Sequence, residues 1–141
     1  MEEDLTTLLD KLFDLPRRDY TQYSPLTLAY LGDAVFDLVV RTVLVRRVNM
    51  QAEKLHRLAS SIVCASAQAE MIRSLLPSLT DEELAVYRRG RGSKPYHTAK
   101  NASREDYLEA TGFEALIGYL YLQGEYARML ELIRKTTDIS I

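Results

Sequence analysis

Two apolar runs, each interrupted by a single carboxylate, constrain this chain more than any other feature. In Tyr30-Leu31-Gly32-Asp33-Ala34-Val35-Phe36 the acid is Asp33, and in Gly112-Phe113-Glu114-Ala115-Leu116-Ile117-Gly118 it is Glu114. At helical spacing Asp33 neighbours Leu26, Ala29, Tyr30, Phe36, Asp37 and Val40, so its side chain is expected to point largely inward. Glu114 is flanked in the same way by Tyr107, Ala110, Thr111, Ile117, Gly118 and Tyr121. Buried carboxylates persist when they are paired, hydrogen-bonded or bound to a metal. On helix pattern alone the preferred reading is two acids satisfied by an arginine or by backbone donors, because structural ion pairs are commoner than metal sites.

The remaining pattern is helical throughout. An amphipathic stretch over 4–15 stops at Pro16. Ser24 and Pro25 supply an N-cap and a first-turn proline for a helix reaching about residue 47, where Arg46 and Arg47 suit its C-terminal end. Asn49 caps a long helix to Leu76, ended by Pro77. Thr80-Asp81-Glu82-Glu83 reads as a capping box that opens a helix to about residue 89. Residues 90–102 lack an apolar period and hold Gly90, Gly92 and Pro95, which predicts a loop. Helices over 104–122 and 125–136 follow, with a turn at Gln123-Gly124. No alternating strand pattern, repeat or low-complexity tract appears, so the expected architecture is all-α. Residues 1–23 are read as an N-terminal extension with a short helix, and 24–141 as one domain.

Composition removes several classes. A chain of 141 residues, 47% hydrophobic and 27% charged, suits one globular domain with a single core. The net charge of -2 gives no overall basic field, so affinity for nucleic acid requires a local patch. Cys64 is the one cysteine, which excludes an intramolecular disulfide and a cysteine-rich zinc site. The acidic start Met1-Glu2-Glu3-Asp4 does not read as a signal peptide and no apolar run is long enough to span a bilayer, so the cytoplasm is expected.

A local basic patch does exist. Between Arg88 and Arg104 stand Arg88, Arg89, Arg91, Lys94, Lys100 and Arg104, with Tyr96 and His97 among them and no acid. Arginines beside glycines bring guanidinium forks and backbone amides to phosphate oxygens, although charge runs are often only solvated surface. Gly90-Arg91-Gly92-Ser93-Lys94 lacks the spacing of a phosphate-binding loop after a strand, which argues against an NTPase. His56 has no second histidine at ligand spacing, and Ser60, Ser61 and Cys64 have no base nearby in sequence.

These pieces together resemble a known family. Residues 30–35, Tyr-Leu-Gly-Asp-Ala-Val, are similar to the core of the ribonuclease III signature helix, and residues 113–118, Phe-Glu-Ala-Leu-Ile-Gly, resemble its second acidic helix. Leu55-His56-Arg57-Leu58, Ala65-Ser66-Ala67-Gln68-Ala69 and Arg88-Arg89-Gly90-Arg91 resemble the Mini-ribonuclease III subfamily, a catalytic domain without a double-stranded-RNA-binding domain. The resemblance implies an all-α, homodimeric endonuclease that uses Mg²⁺ to hydrolyse double-stranded RNA, leaving 5′ phosphates, with large-subunit (23S) ribosomal RNA precursor as substrate. It also implies that Asp33 and Glu114 are the catalytic, metal-binding acids. Arg88, Arg89, Arg91, Lys94 and Lys100 are then the expected RNA-backbone contacts.

The chain departs from the broader family at Ala29 and Thr111, where that family carries further acids; the Mini-ribonuclease III pattern also lacks them. The loss leaves open a non-catalytic RNA-binding or ribosome-associated protein on the same fold. An all-α interaction module with internal salt bridges is a third reading.

Overall fold

The computed structural model describes residues 3–93 and 103–137. Seven α-helices follow in order: α1 (Leu5–Phe13), α2 (Pro25–Arg47), α3 (Ala52–Val63), α4 (Ala65–Leu75), α5 (Asp81–Arg91), α6 (Arg104–Leu122) and α7 (Tyr126–Thr136). Short 3₁₀ turns at Tyr20–Gln22 and Leu76–Ser78 join them. No strand occurs among the described residues, and the fold is all-α.

Helix α6 is the axis of the molecule. From Glu109 to Leu120 every residue except Glu114 is buried. Helix α2 lies along it, with α4 and α5 on its flanks and α7 against α4 and α6. Phe36 of α2 meets Phe113 of α6 edge to face, with ring centroids 5.2 Å apart, and Leu28, Val40, Leu44, Leu116 and Leu120 close the core around them. Such a ring pair contributes roughly 0.5–1.5 kcal/mol beyond its burial.

The local chemistry of the ends is legible. Asp4 caps α1 by accepting from the Thr7 amide at 2.9 Å, and Asp14 ends it in the left-handed region with φ 51°. The capping box at Thr80 forms as the sequence predicts: Glu83 N–H donates to Thr80 Oγ1 at 3.1 Å, and the Thr80 amide donates to Glu83 Oε1 at 2.9 Å. Glu83 is buried, and Arg128 holds its carboxyl below the usual range.

Three expectations are corrected. The long helix predicted from Asn49 to Leu76 is two helices, capped at Gln51 rather than Asn49 and broken at Cys64, whose ψ of 158° is extended. Ser24 precedes α2 without a side-chain capping bond. Helix α5 continues through Gly90 to Arg91, beyond the predicted stop, because Gly90 is buried where α5 meets α6. A Cβ there would sit 2.8 Å from Ala115 Cβ and 2.9 Å from Gly112 Cα. The glycine that reads as a turn former is a contact residue.

Candidate active site

Glycine also brings the two acids together. A Cβ on Gly32 would stand 1.8 Å from the carbonyl oxygen of Glu114, and one on Gly118 would stand 2.1 Å from that of Leu28. Only paired glycines let the α2 and α6 backbones touch at this depth. Asp33 follows Gly32 directly, so the crossing that admits the glycine sets the Asp33 side chain against that of Glu114.

Asp33 is exposed, which corrects the inward orientation expected from its neighbours. The buried stripe of α2 is Leu28, Ala29, Gly32, Val35, Phe36, Val40 and Leu44, and Asp33 lies just beyond its edge. Glu114 is half-buried beneath it. Loss of solvation, then the hydrogen bond and negative charge of Asp33, push the Glu114 carboxyl up to about 9. Among the described residues no arginine pairs with either acid, contrary to the partners anticipated from helix pattern. Among the described residues the ion pairs join other acids, such as Asp37 with Arg41 at 2.9 Å and Asp106 with Arg73 at 2.8 Å. Two carboxyl groups facing each other with no basic partner among the described residues form an electrostatic trap for a cation.

A third helix adds an amide. Gln68, near the start of α4, is only 2% exposed, and its Nε2 donates to the Val63 carbonyl at 2.8 Å across the α3–α4 break. The amide lies beside the Glu114 carboxyl and favours its charged form. Its Oε1 is buried and finds no donor among the described residues. Sequence reasoning placed Gln68 inside a motif without giving it a role. The overlooked signal was its register, since Gln68, Met71, Ile72 and Leu75 form one buried stripe.

The ligand set is two carboxylates, hard oxygen donors, with a buried amide beside one of them. It fits a small divalent cation that keeps several of its waters, and a cation would offset the repulsion of the acid pair. No cluster of three or more His, Cys, Asp or Glu residues able to hold a metal occurs among the described residues, so water must supply most of the shell. At the two departures, Ala29 is buried, and Thr111 is buried with its hydroxyl donating to the Tyr107 carbonyl at 2.9 Å.

The basic residues are divided by the fold. Arg88 is exposed on α5, and no partner engages its guanidinium among the described residues. Arg89 is also exposed but donates to the Thr21 and Tyr23 carbonyls, the latter at 3.0 Å, bracing the 3₁₀ turn before α2. Arg91 bridges to Glu105 and Glu109 of α6. Glu109 is buried and also accepts from the Tyr87 hydroxyl at 2.7 Å; burial, then Glu109, push that phenol up to about 12. The expected acid-free loop therefore begins on a helix where two of the three arginines, Arg89 and Arg91, hold internal partners. Lys94 and Lys100, with Tyr96 and His97, lie outside the described residues.

Comparison with known proteins bears on what this arrangement does. The family model for the ribonuclease III domain matches residues 26–125. A Mini-ribonuclease 3 from Symbiobacterium thermophilum is 46% identical over 114 residues, covering 81% of this chain and 88% of that protein. Another, from Thermoanaerobacter sp., is 37% identical over 139 residues, covering 99% and 98%. An X-ray crystal structure of a Fusobacterium nucleatum protein superposes with a TM-score of 0.75 at 26% identity, covering 83% of this chain and 93% of that one.

Proposed function

This chain belongs to the ribonuclease III family, and on that premise we propose that it cuts double-stranded RNA with Mg²⁺ held by Asp33 and Glu114. The family and its relatives support an endoribonuclease. The observation that carries the cation assignment is the facing of the two carboxyls across the Gly32–Gly118 crossing, without a basic partner among the described residues.

When bound, Mg²⁺ supplies a Lewis acid and an activated water for phosphodiester hydrolysis, which leaves a 5′ phosphate. The protein's own contribution begins with protons. Glu114, pushed up to about 9, carries its proton at neutral pH without a cation and must release it from its carboxyl oxygen to become a ligand. Binding is thereby coupled to pH, and affinity rises as pH rises. Asp33, exposed at the rim, meets substrate first, and Glu114 sits below with less freedom to move. Arg88, Arg89, Arg91, Lys94 and Lys100 are proposed to hold the phosphate backbone; Arg88 is the best placed of the described three, being exposed without an internal partner among the described residues.

A homodimer with paired sites cuts both strands of a duplex. Apolar residues left exposed on α2, namely Tyr30, Leu38 and Val45, support that assembly. Precursor of 23S ribosomal RNA is the proposed substrate on the family resemblance alone. A cytoplasmic setting is proposed on the family resemblance; among the described residues no helix is long and apolar enough to cross a membrane.

The test incubates purified protein with a long structured RNA, with and without Mg²⁺, beside Asp33→Asn and Glu114→Gln. Cleavage should require Mg²⁺ and fall by at least about 10²-fold in each variant, as loss of a major electrostatic contributor to catalysis does. Near-normal cleavage by either variant, in protein free of contaminating nuclease, removes that residue from the site.

A further inference from the structure

Among the described residues, Gln68 is a polar side chain of the site that the proposed reaction leaves without work. It projects from α4 into the contact between α4 and α6, 2% exposed, with its amide beside the Glu114 carboxyl. Its orientation is set by chemistry. The Val63 carbonyl accepts from Nε2 at 2.8 Å, and flipping the amide would set two acceptor oxygens against each other. Oε1 is thereby fixed as a buried acceptor with no donor among the described residues, an arrangement that costs free energy unless a donor arrives. The side chain that the amide lies beside, Glu114 of α6, is in turn hydrogen-bonded to Asp33 of α2.

Building on the metal reading above, we propose that Gln68 is a positioning residue of the cation site, whose Oε1 accepts a hydrogen bond from a cation-bound water while its amide steadies the Glu114 carboxylate. A water on a divalent cation is a strengthened donor, and it is the group that the acid pair would bring to an otherwise orphaned acceptor. The extended Cys64 gains a purpose in this arrangement. By breaking the helix it leaves the Val63 carbonyl to accept from Gln68 Nε2, and that bond aims the amide. Outer-sphere partners of this kind orient ligands and tune affinity by about 10- to 100-fold.

Gln68→Met tests this, because methionine fills nearly the same volume, keeps a good helix former and removes both amide contacts. Mn²⁺ alone is titrated into wild type, Gln68→Met and Asp33→Asn, with free Mn²⁺ counted by electron paramagnetic resonance. The metal-free melting temperature of each is recorded, with Gln68→Leu as a second variant. The expected result is Mn²⁺ affinity weakened about 10- to 100-fold in both Gln68 variants. Affinity within twofold of wild type in the Gln68 variants, alongside weak binding by Asp33→Asn, overturns the role of Gln68 and leaves the acid pair standing. A lowered melting temperature with unchanged affinity makes Gln68 a structural brace and equally overturns the proposal. Wild-type affinity in Asp33→Asn overturns the metal reading itself.

Discussion

Replacing Gly32 with alanine tests whether the helix crossing builds the site. An added Cβ would lie 1.8 Å from the Glu114 carbonyl oxygen, against 3.4 Å for ordinary contact, so the helices must part by about 1.6 Å or α2 must slide. Alanine gains roughly 1 kcal/mol in helix propensity over glycine. Overpacking a rigid contact costs about 1–3 kcal/mol and occasionally more, and here the obstacle is backbone on α6, which cannot rotate away. A net loss of about 2 kcal/mol or more is expected, because the overlap is severe and lies along the main helix pair of the core. Separation at Gly32 also moves Asp33 away from Glu114. A displacement of about 1 Å is worth roughly 10²-fold in rate. The assay is urea unfolding together with Mg²⁺-dependent cleavage, beside Gly92→Ala. Among the described residues a Cβ on Gly92 meets only the Arg88 and Arg89 carbonyl oxygens, at 3.3 and 3.9 Å, and that variant should remain within about 1 kcal/mol of wild type. A Gly32→Ala protein as stable and active as wild type would refute the close approach and the explanation of the site that rests on it.

Further outcomes follow from the same geometry. In metal-free protein Glu114 holds its proton up to about 9 when folded and to about 4.5 when unfolded; its contribution to stability is full below the lower value and declines as pH rises to the upper one. Unfolding across that window should show this decline in wild type and a flatter profile in Glu114→Gln; identical slopes would contradict the raised value. Arg88→Ala should lower duplex RNA affinity and flatten the salt slope by roughly 0.7–0.9 without changing stability, as read by titration at several salt concentrations in an Asp33→Asn background. Arg91→Ala should cost about 2 kcal/mol in urea unfolding, because it leaves buried Glu109 with Tyr87 as its remaining partner among the described residues, the loss being limited by the part-exposure of Arg91. Sedimentation at micromolar concentration should give twice the chain mass, and Leu38→Glu should shift it toward monomer; a wild-type monomer that still cuts both strands would contradict paired sites.

Periodicity and end chemistry determined most of the helices. Pro25, the Thr80 capping box and the Gln123-Gly124 turn act over a few residues, so their consequences can be read without knowing what packs where. The same local rules could not see the break at Cys64, where no glycine or proline announces it and only the packing of α3 and α4 on different neighbours requires it. Asp33 and Glu114 stood out as acids on apolar helices, but periodicity aimed Asp33 inward; its exposure depends on where α6 crosses α2, a long-range fact. The basic stretch was equally visible as composition. Which of its arginines are engaged was decided by Glu105, Glu109 and the Thr21 and Tyr23 carbonyls, which reach Arg91 and Arg89 only through the folded chain. Gln68 could be seen on a buried stripe from its register, but not that its amide would lie beside Glu114 with Oε1 lacking a donor among the described residues. The sequence by itself thus determined the elements and the acids, because those follow from forces between near neighbours. Tertiary structure alone decided the site, because bringing Asp33 to Glu114 depends on the contact of two glycine-lined backbones that lie far apart in the chain, and Gln68 joins them through the packing of α4 on α6.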